Sequence, residues 1–189
     1  YVATMHEQAA GFAAEGYAKI KRKPGLSIVT SGPGATNLIT SVANCFYESI
    51  PCIFISGQIN SKFLRPDESI RQVGFQETDI VSIVKPVAKY AVMVKDPNTI
   101  KYELEKAYEK CVSGRMGPVF LDIPMDVQKA NIIVNKLSGF KSNTNKPKFN
   151  STNVRKSIKK YLNDLKKAKR PIFLVGGGLQ LTNNSKEML

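Results

Sequence analysis

Apolar positions along the chain fall into short blocks of two kinds that alternate. Leu26-Ser27-Ile28-Val29-Thr30, Pro51 to Gly57, Val87 to Val94 and Gly117 to Pro124 are compact, apolar and bounded by glycine, proline or polar residues, which predicts strands. Pro51 to Gly57 is apolar without alternation, which predicts a strand covered on both faces. Between these blocks the spacing becomes helical over residues 7–22, 35–47 and 97–112, the last opened by Asp96 or Asn98. A further short helix begins in Phe75-Gln76-Glu77-Thr78-Asp79-Ile80-Val81. Strand and helix in repeated alternation predict an α/β fold, a doubly wound, mostly parallel sheet with helices on both faces. Ligands of such sheets bind beyond the carboxyl ends of the strands.

The first helix has a small surface, built from Ala9, Ala10, Gly11, Ala13, Ala14, Gly16 and Ala18. Another backbone can approach it closely, within the domain or from a second subunit. Lys19, Lys21, Arg22 and Lys23 suit its negative C-terminal end, and Pro24-Gly25 stops it. Gln58 to Gly74 is long, polar and irregular, as functional loops are.

The pattern weakens after about residue 130. Residues 131–153 are rich in Asn, Lys, Ser and Thr and read as a linker. A lysine-rich amphipathic helix follows over 154–168, then an apolar strand entering a glycine turn at Arg170 to Gly178. Residues 154–189 thus read as the truncated start of a second α/β domain. Tyr1-Val2-Ala3-Thr4 looks like the end of a strand, so the sequence reads as starting inside a domain.

Composition narrows the function classes. No apolar run is long enough for a membrane span, and the N-terminus has no signal-peptide pattern. The three cysteines, Cys45, Cys52 and Cys111, lie in apolar contexts without metal spacing, as buried free thiols in a cytoplasmic protein do. The single histidine excludes a multi-histidine metal site and argues against a Ser-His-Asp hydrolase. The net charge of +13 raises nucleic acid as a partner. Its excess gathers between Lys136 and Arg170 without an interleaved aromatic platform or a recognisable binding motif, the pattern of a solvated linker and helix face; no nucleic-acid or membrane partner is expected. A non-catalytic, basic binding module reusing the fold is the alternative reading.

The candidate chemistry lies at Glu7, which opens the first helix, and at Thr30-Ser31-Gly32-Pro33-Gly34-Ala35-Thr36-Asn37, a glycine turn from strand to helix. Glycines there let the main chain lie against a ligand, with helix amides facing the same space. His6-Glu7-Gln8-Ala9-Ala10, the Thr30 to Asn37 turn, Ile55-Ser56-Gly57-Gln58, the Phe75 to Val81 segment and Gly114 to Pro124 occur in that order. Together they resemble the pyrimidine-binding domain of the acetolactate synthase group of thiamine diphosphate enzymes, over residues 1–130. The tail from Arg170 looks like the start of that family's middle domain.

The resemblance implies a 2-oxo acid decarboxylase or carboligase. In the family the glutamate matching Glu7 hydrogen-bonds N1′ of the cofactor's aminopyrimidine and favours the imino form that takes the thiazolium C2 proton. Partial desolvation against an apolar wall suits that role. By the same match Thr30, Pro33, Gly34 and Asn37 line the pyrimidine side, and Phe75 and Gln76 face a 2-oxo acid such as pyruvate. His6 reads equally as a cap and as a chemical partner. The resemblance also implies a homo-oligomer with the site at a subunit interface, and Mg2+ held by a Gly-Asp-Gly domain that this sequence does not contain. It leaves FAD open. Ser69 to Gly74 departs from the family pattern and leaves the product open. Arg71 there reads either as a substrate-anion ligand or as an ion-pair partner of Asp67 or Glu68.

Overall fold

The computed structural model describes residues 1–142 and 151–176. The chain divides into two units, Tyr1–Ser142 and Asn143–Leu189.

The first unit is built on four parallel strands, β1 (Gly25–Val29), β2 (Cys52–Gln58), β3 (Tyr90–Met93) and β4 (Val119–Pro124), in the order β1-β2-β4-β3. Around them stand α1 (Glu7–Lys21), α2 (Pro33–Asn37), α3 (Ile39–Tyr47), α4 (Ile80–Val84), α5 (Ile100–Val112) and α6 (Met125–Lys129). The chain moves outward from β1 through β2 to β3 and then steps back to β4. With right-handed crossovers, that reversal puts α5 on the opposite face from α3 and α4. Two cores result. Ala14, Ala18, Leu38, Val42, Cys45, Ile80 and Val84 pack on Phe54 and Phe120 on one face, and Val94, Ala107, Cys111 and Val127 pack on Val119 and Leu121 on the other. Phe54 pairs in register with Phe120, and their rings stack 6.4 Å apart. Each such buried ring contributes roughly 2 to 3 kcal/mol. The expected α/β class and parallel sheet are what the structure has.

Several local expectations shift. Residues 35–47 are two helices, because the chain bends at Leu38, whose side chain is fully buried. The segment from Phe75 to Asp79 is not helical. Gln76 takes a left-handed backbone conformation, φ 64°, which interrupts the helical path. The helix starts only at Ile80, where the Asp79 side chain accepts from the Ser82 N–H. The strand at 87–94 contracts to Tyr90–Met93, and α5 is preceded by a 3-10 turn, Pro97–Thr99, capped by Asp96. Cys52, Phe54, Ser56 and Gln58 of β2 are buried, whereas Ile53 and Ile55 between them are only half-buried. Residues Tyr1 to Thr4 form no strand.

The small face of α1 is a packing device. A Cβ placed on Gly25 would sit 2.0 Å from the Ala14 carbonyl oxygen, and one on Gly11 would sit 2.0 Å from Ser41 Oγ. Only glycine lets β1 and α3 lie this close to the helix. α1 ends with Arg22 in the left-handed conformation, its N–H bonded to the Ala18 carbonyl, ahead of the proline that sequence puts at the stop.

Residues up to Ser142 group with the first unit. There the Phe140 N–H donates to Glu105 and its ring meets Tyr102 edge-on. In the second unit α7 (Ser151–Lys167) is amphipathic, with Val154, Ile158, Tyr161 and Leu162 spaced along one stripe. The strand expected at Arg170 to Gly178 does not form over Pro171 to Gly176; no other strand of this unit lies among the described residues to pair with it. Gly177 and Gly178 lie outside the described residues.

Candidate active site

α1 runs antiparallel to β1, so its N-terminus stands beside the carboxyl end of that strand. His6 caps the helix, its Nδ1 accepting the Gln8 N–H at 3.1 Å. That is the capping alternative for His6. The cap fixes Glu7 at the first helical position, where a carboxylate suits the positive end of the helix.

The turn after β1 folds back onto Glu7. The Asn37 amide donates to Glu7 Oε2 at 3.0 Å. Gly34 lies between the partners: a Cβ on it would come 2.6 Å from Thr30 Cγ2 and 3.4 Å from Glu7 Oε1. Four of the sequence-predicted residues, Glu7, Thr30, Gly34 and Asn37, therefore form one cluster, and Pro33 is exposed in the same turn. Gly34 leaves Oε1 facing space that any other residue would fill.

The electrostatics differ from expectation. Partial desolvation would raise the Glu7 carboxyl. Instead the Asn37 hydrogen bond, aided by the helix backbone, holds it below the ordinary carboxylate range. Glu7 is half-buried, and desolvation opposes its charge less than these hydrogen bonds favour it.

Gln76 lies across the same turn. Gly32 has φ 62°, and a Cβ there would meet the Gln76 carbonyl oxygen at 2.7 Å. Phe75 beside it is 86% exposed. The Phe75-Gln76 tip is thus brought to the glycine turn, with the aromatic ring outward. Arg71 takes part in neither of the ion pairs, Lys19–Glu15 and Arg65–Asp79, found among the described residues. Asp67 instead accepts the Ser69 N–H at 2.8 Å.

Sequence reasoning missed the polar layer beneath this tip. Ser56 and Asp122 pair in register and are fully buried. Ser56 Oγ donates to Asp122 at 2.6 Å, and Gln58 Nε2 donates to both Asp122, at 2.9 Å, and the Thr78 carbonyl, at 2.8 Å. Burial dominates and pushes the Asp122 carboxyl up to about 6, against its two hydrogen bonds and with a small push from Asp79. Glu77 is buried as well. Burial opposes its charge, yet the N–H groups of Arg65, Val73 and Gly74 outweigh that and hold its carboxyl below the ordinary range. The signal was present as polar residues inside apolar strand ends, at Ser56, Gln58 and Asp122. The end of β4 is therefore tied through Gln58 to the loop that carries the tip.

No helix among the described residues is long and apolar enough to cross a membrane. None of their His, Cys, Asp and Glu residues form a group suited to a metal ion. Cys45, Cys52 and Cys111 are free and buried.

Residues 1–83 match the family model described as thiamine pyrophosphate enzyme, N-terminal TPP binding domain. The whole chain is 39% identical to the acetolactate synthase large subunit of Buchnera aphidicola subsp. Acyrthosiphon pisum, of which it covers 32%. It is 38% identical to that of Corynebacterium glutamicum, covering 29%. Against the probable acetolactate synthase large subunit of Methanocaldococcus jannaschii the whole chain is 35% identical and covers 31%. The chain thus spans about a third of the length of these relatives. The parallel sheet with the Glu7 cluster past its carboxyl edge goes with this match: residues 1–83 are similar to the N-terminal TPP binding domain of thiamine pyrophosphate enzymes, and the whole chain is similar to part of acetolactate synthase large subunits.

Proposed function

We propose that this chain supplies the pyrimidine-side half of a thiamine diphosphate site in a 2-oxo acid decarboxylase or carboligase of the acetolactate synthase kind. The observation that carries the reading is the Glu7 carboxylate, pinned on one oxygen by Asn37 and left open on the other beside Gly34. The residues fit an aminopyrimidine: a carboxylate for a ring nitrogen, and a glycine where a flat ring needs room. When bound, thiamine diphosphate supplies the electron sink for decarboxylation.

Glu7 would hold a proton at the ring nitrogen. Asn37 orients its carboxylate and biases it toward the charged form. A ring covering the carboxylate would desolvate it and raise its proton affinity. The resting cluster and the covered cluster then hold the proton differently, as an acid–base group must. Thr30 and Pro33 bound the ring's side of the turn, and Phe75 and Gln76 face the 2-oxo acid. Mg2+ and the diphosphate belong to a domain outside this chain, and the site is completed across a homo-oligomer interface. FAD is left as an open accessory. A reducing compartment such as the cytoplasm suits the three buried thiols.

The test uses the full-length protein with thiamine diphosphate, Mg2+ and pyruvate. CO2 release is expected, and Glu7→Gln should abolish it while leaving the fold intact by circular dichroism. An unchanged rate in Glu7→Gln would overturn the proposal.

A further inference from the structure

The loop between β2 and α4 is wrapped around one carboxylate. Glu77 is 8% exposed. Its Oε1 accepts the Arg65 N–H at 2.6 Å, and its Oε2 accepts those of Val73 at 2.8 Å and Gly74 at 3.4 Å. Its own N–H donates to the Gly74 carbonyl at 3.1 Å, and its carbonyl accepts from Gln72 Nε2 at 3.2 Å. The next residue, Thr78, is tied to the sheet through Gln58. One ionised side chain thus joins both limbs of the loop, immediately after the tip. Gln76 stays left-handed and presses its carbonyl on Gly32. Such a conformation in a residue other than glycine persists only where its surroundings over-determine it. Charge-assisted bonds from three backbone donors do so here.

We infer that Glu77 is a positioning residue: it sets the Phe75-Gln76 tip over the glycine turn and thereby governs how the 2-oxo acid is held, without touching the cofactor. The inference rests on the functional reading above. The separation follows from connectivity. Glu7 and Asn37 are held by α1 and α2, and no bond of Glu77 reaches either.

Glu77→Gln keeps the shape but turns an NH2 group onto backbone donors, so one limb of the loop loses its acceptor. In full-length protein the KM for pyruvate should rise about tenfold or more. The Kd for thiamine diphosphate with Mg2+, measured by calorimetry, should stay within about twofold, because the Glu7 cluster is untouched. Hydrogen exchange should quicken over residues 65–74. Glu77→Asp, too short to serve both limbs, should fall between. A KM that stays at the wild-type value, a cofactor Kd that rises in step with KM, or unchanged exchange would overturn the inference. Wild-type protein that turns over no 2-oxo acid would instead overturn the functional reading. In that case exchange at Arg65, Val73 and Gly74 still decides whether Glu77 holds the tip.

Discussion

Asp122 gives the most direct physical test of the fold around the site. Its carboxyl is fully buried at the end of β4, with Ser56 and Gln58 as its donors. Burial raises its value from 3.8 to about 6. The folded state therefore holds this proton more tightly than the unfolded chain. Stability from this group is complete below about pH 3.8 and is lost as pH rises through about 6. At about 1.4 kcal/mol per pH unit the full loss is about 3 kcal/mol. Of this, about 2 kcal/mol falls between pH ~4.5 and ~7.5. Glu7, Asp67, Glu77 and Asp126, all lowered, drive the opposite trend, so the raw pH profile of the wild type does not isolate Asp122. The difference from Asp122→Asn does. The amide can accept from Gln58 while the Ser56 hydroxyl turns to accept from it, and it cannot ionise. Relative to wild type, Asp122→Asn should gain about 2 kcal/mol between those two pH values. With a urea slope of about 2 kcal/mol per molar, its midpoint should move by about 1 M relative to wild type. Urea unfolding followed by circular dichroism at both values measures this. Parallel pH profiles for the two proteins would refute the assignment of a raised, buried carboxyl.

Two further tests address how α1 is held. Gly25→Ala puts a methyl group 2.0 Å from the Ala14 carbonyl oxygen, so the helix must move by about 1.3 Å, at a cost of about 3 kcal/mol. Tm should drop by about 9 °C, whereas Gly16→Ala, with nothing within 4 Å of its new Cβ, should raise Tm slightly through helix propensity; equal Tm values for the two variants would contradict the packing described. Asn37→Ala removes the amide that holds the Glu7 carboxyl low. Carbon-13 NMR of the glutamate carboxyls should then show Glu7 titrating at a higher pH, and an unmoved titration would show that Asn37 does not set it.

The sheet was legible because its strands are apolar where they are buried and its glycines lie where elements meet. Glu7, Thr30, Gly34 and Asn37 were nameable as a set through the family resemblance, which matches this turn and this helix start to one site. What stayed hidden depends on long-range pairing. Ser56, Gln58 and Asp122 show in the sequence only as polar residues at apolar strand ends; the register that places Ser56 opposite Asp122 is what joins them. The break at Leu38 and the left-handed Gln76 follow from tertiary contacts and leave no mark in local spacing. The balance at Glu7 stayed hidden for a similar reason: the Asn37 amide whose hydrogen bond lowers its carboxyl lies thirty residues away. The strand expected after Arg170 had the right composition, but a strand is defined by its partner.

A parallel sheet has two unlike rims. The Glu7 cluster occupies the rim where strands finish, while Gly114 and Arg115, between α5 and β4, belong to the rim where strands begin. The two are separated by about 20 Å, the length of one strand. Gly114 meets nothing within 4 Å at its Cβ position, but its φ of 57° strains any side chain, so the attachment point is Lys110, exposed in the last turn of α5 at the same rim. A fluorophore or surface anchor attached there would leave the chemistry end free, giving an immobilised or labelled protein whose binding steps can be watched from behind.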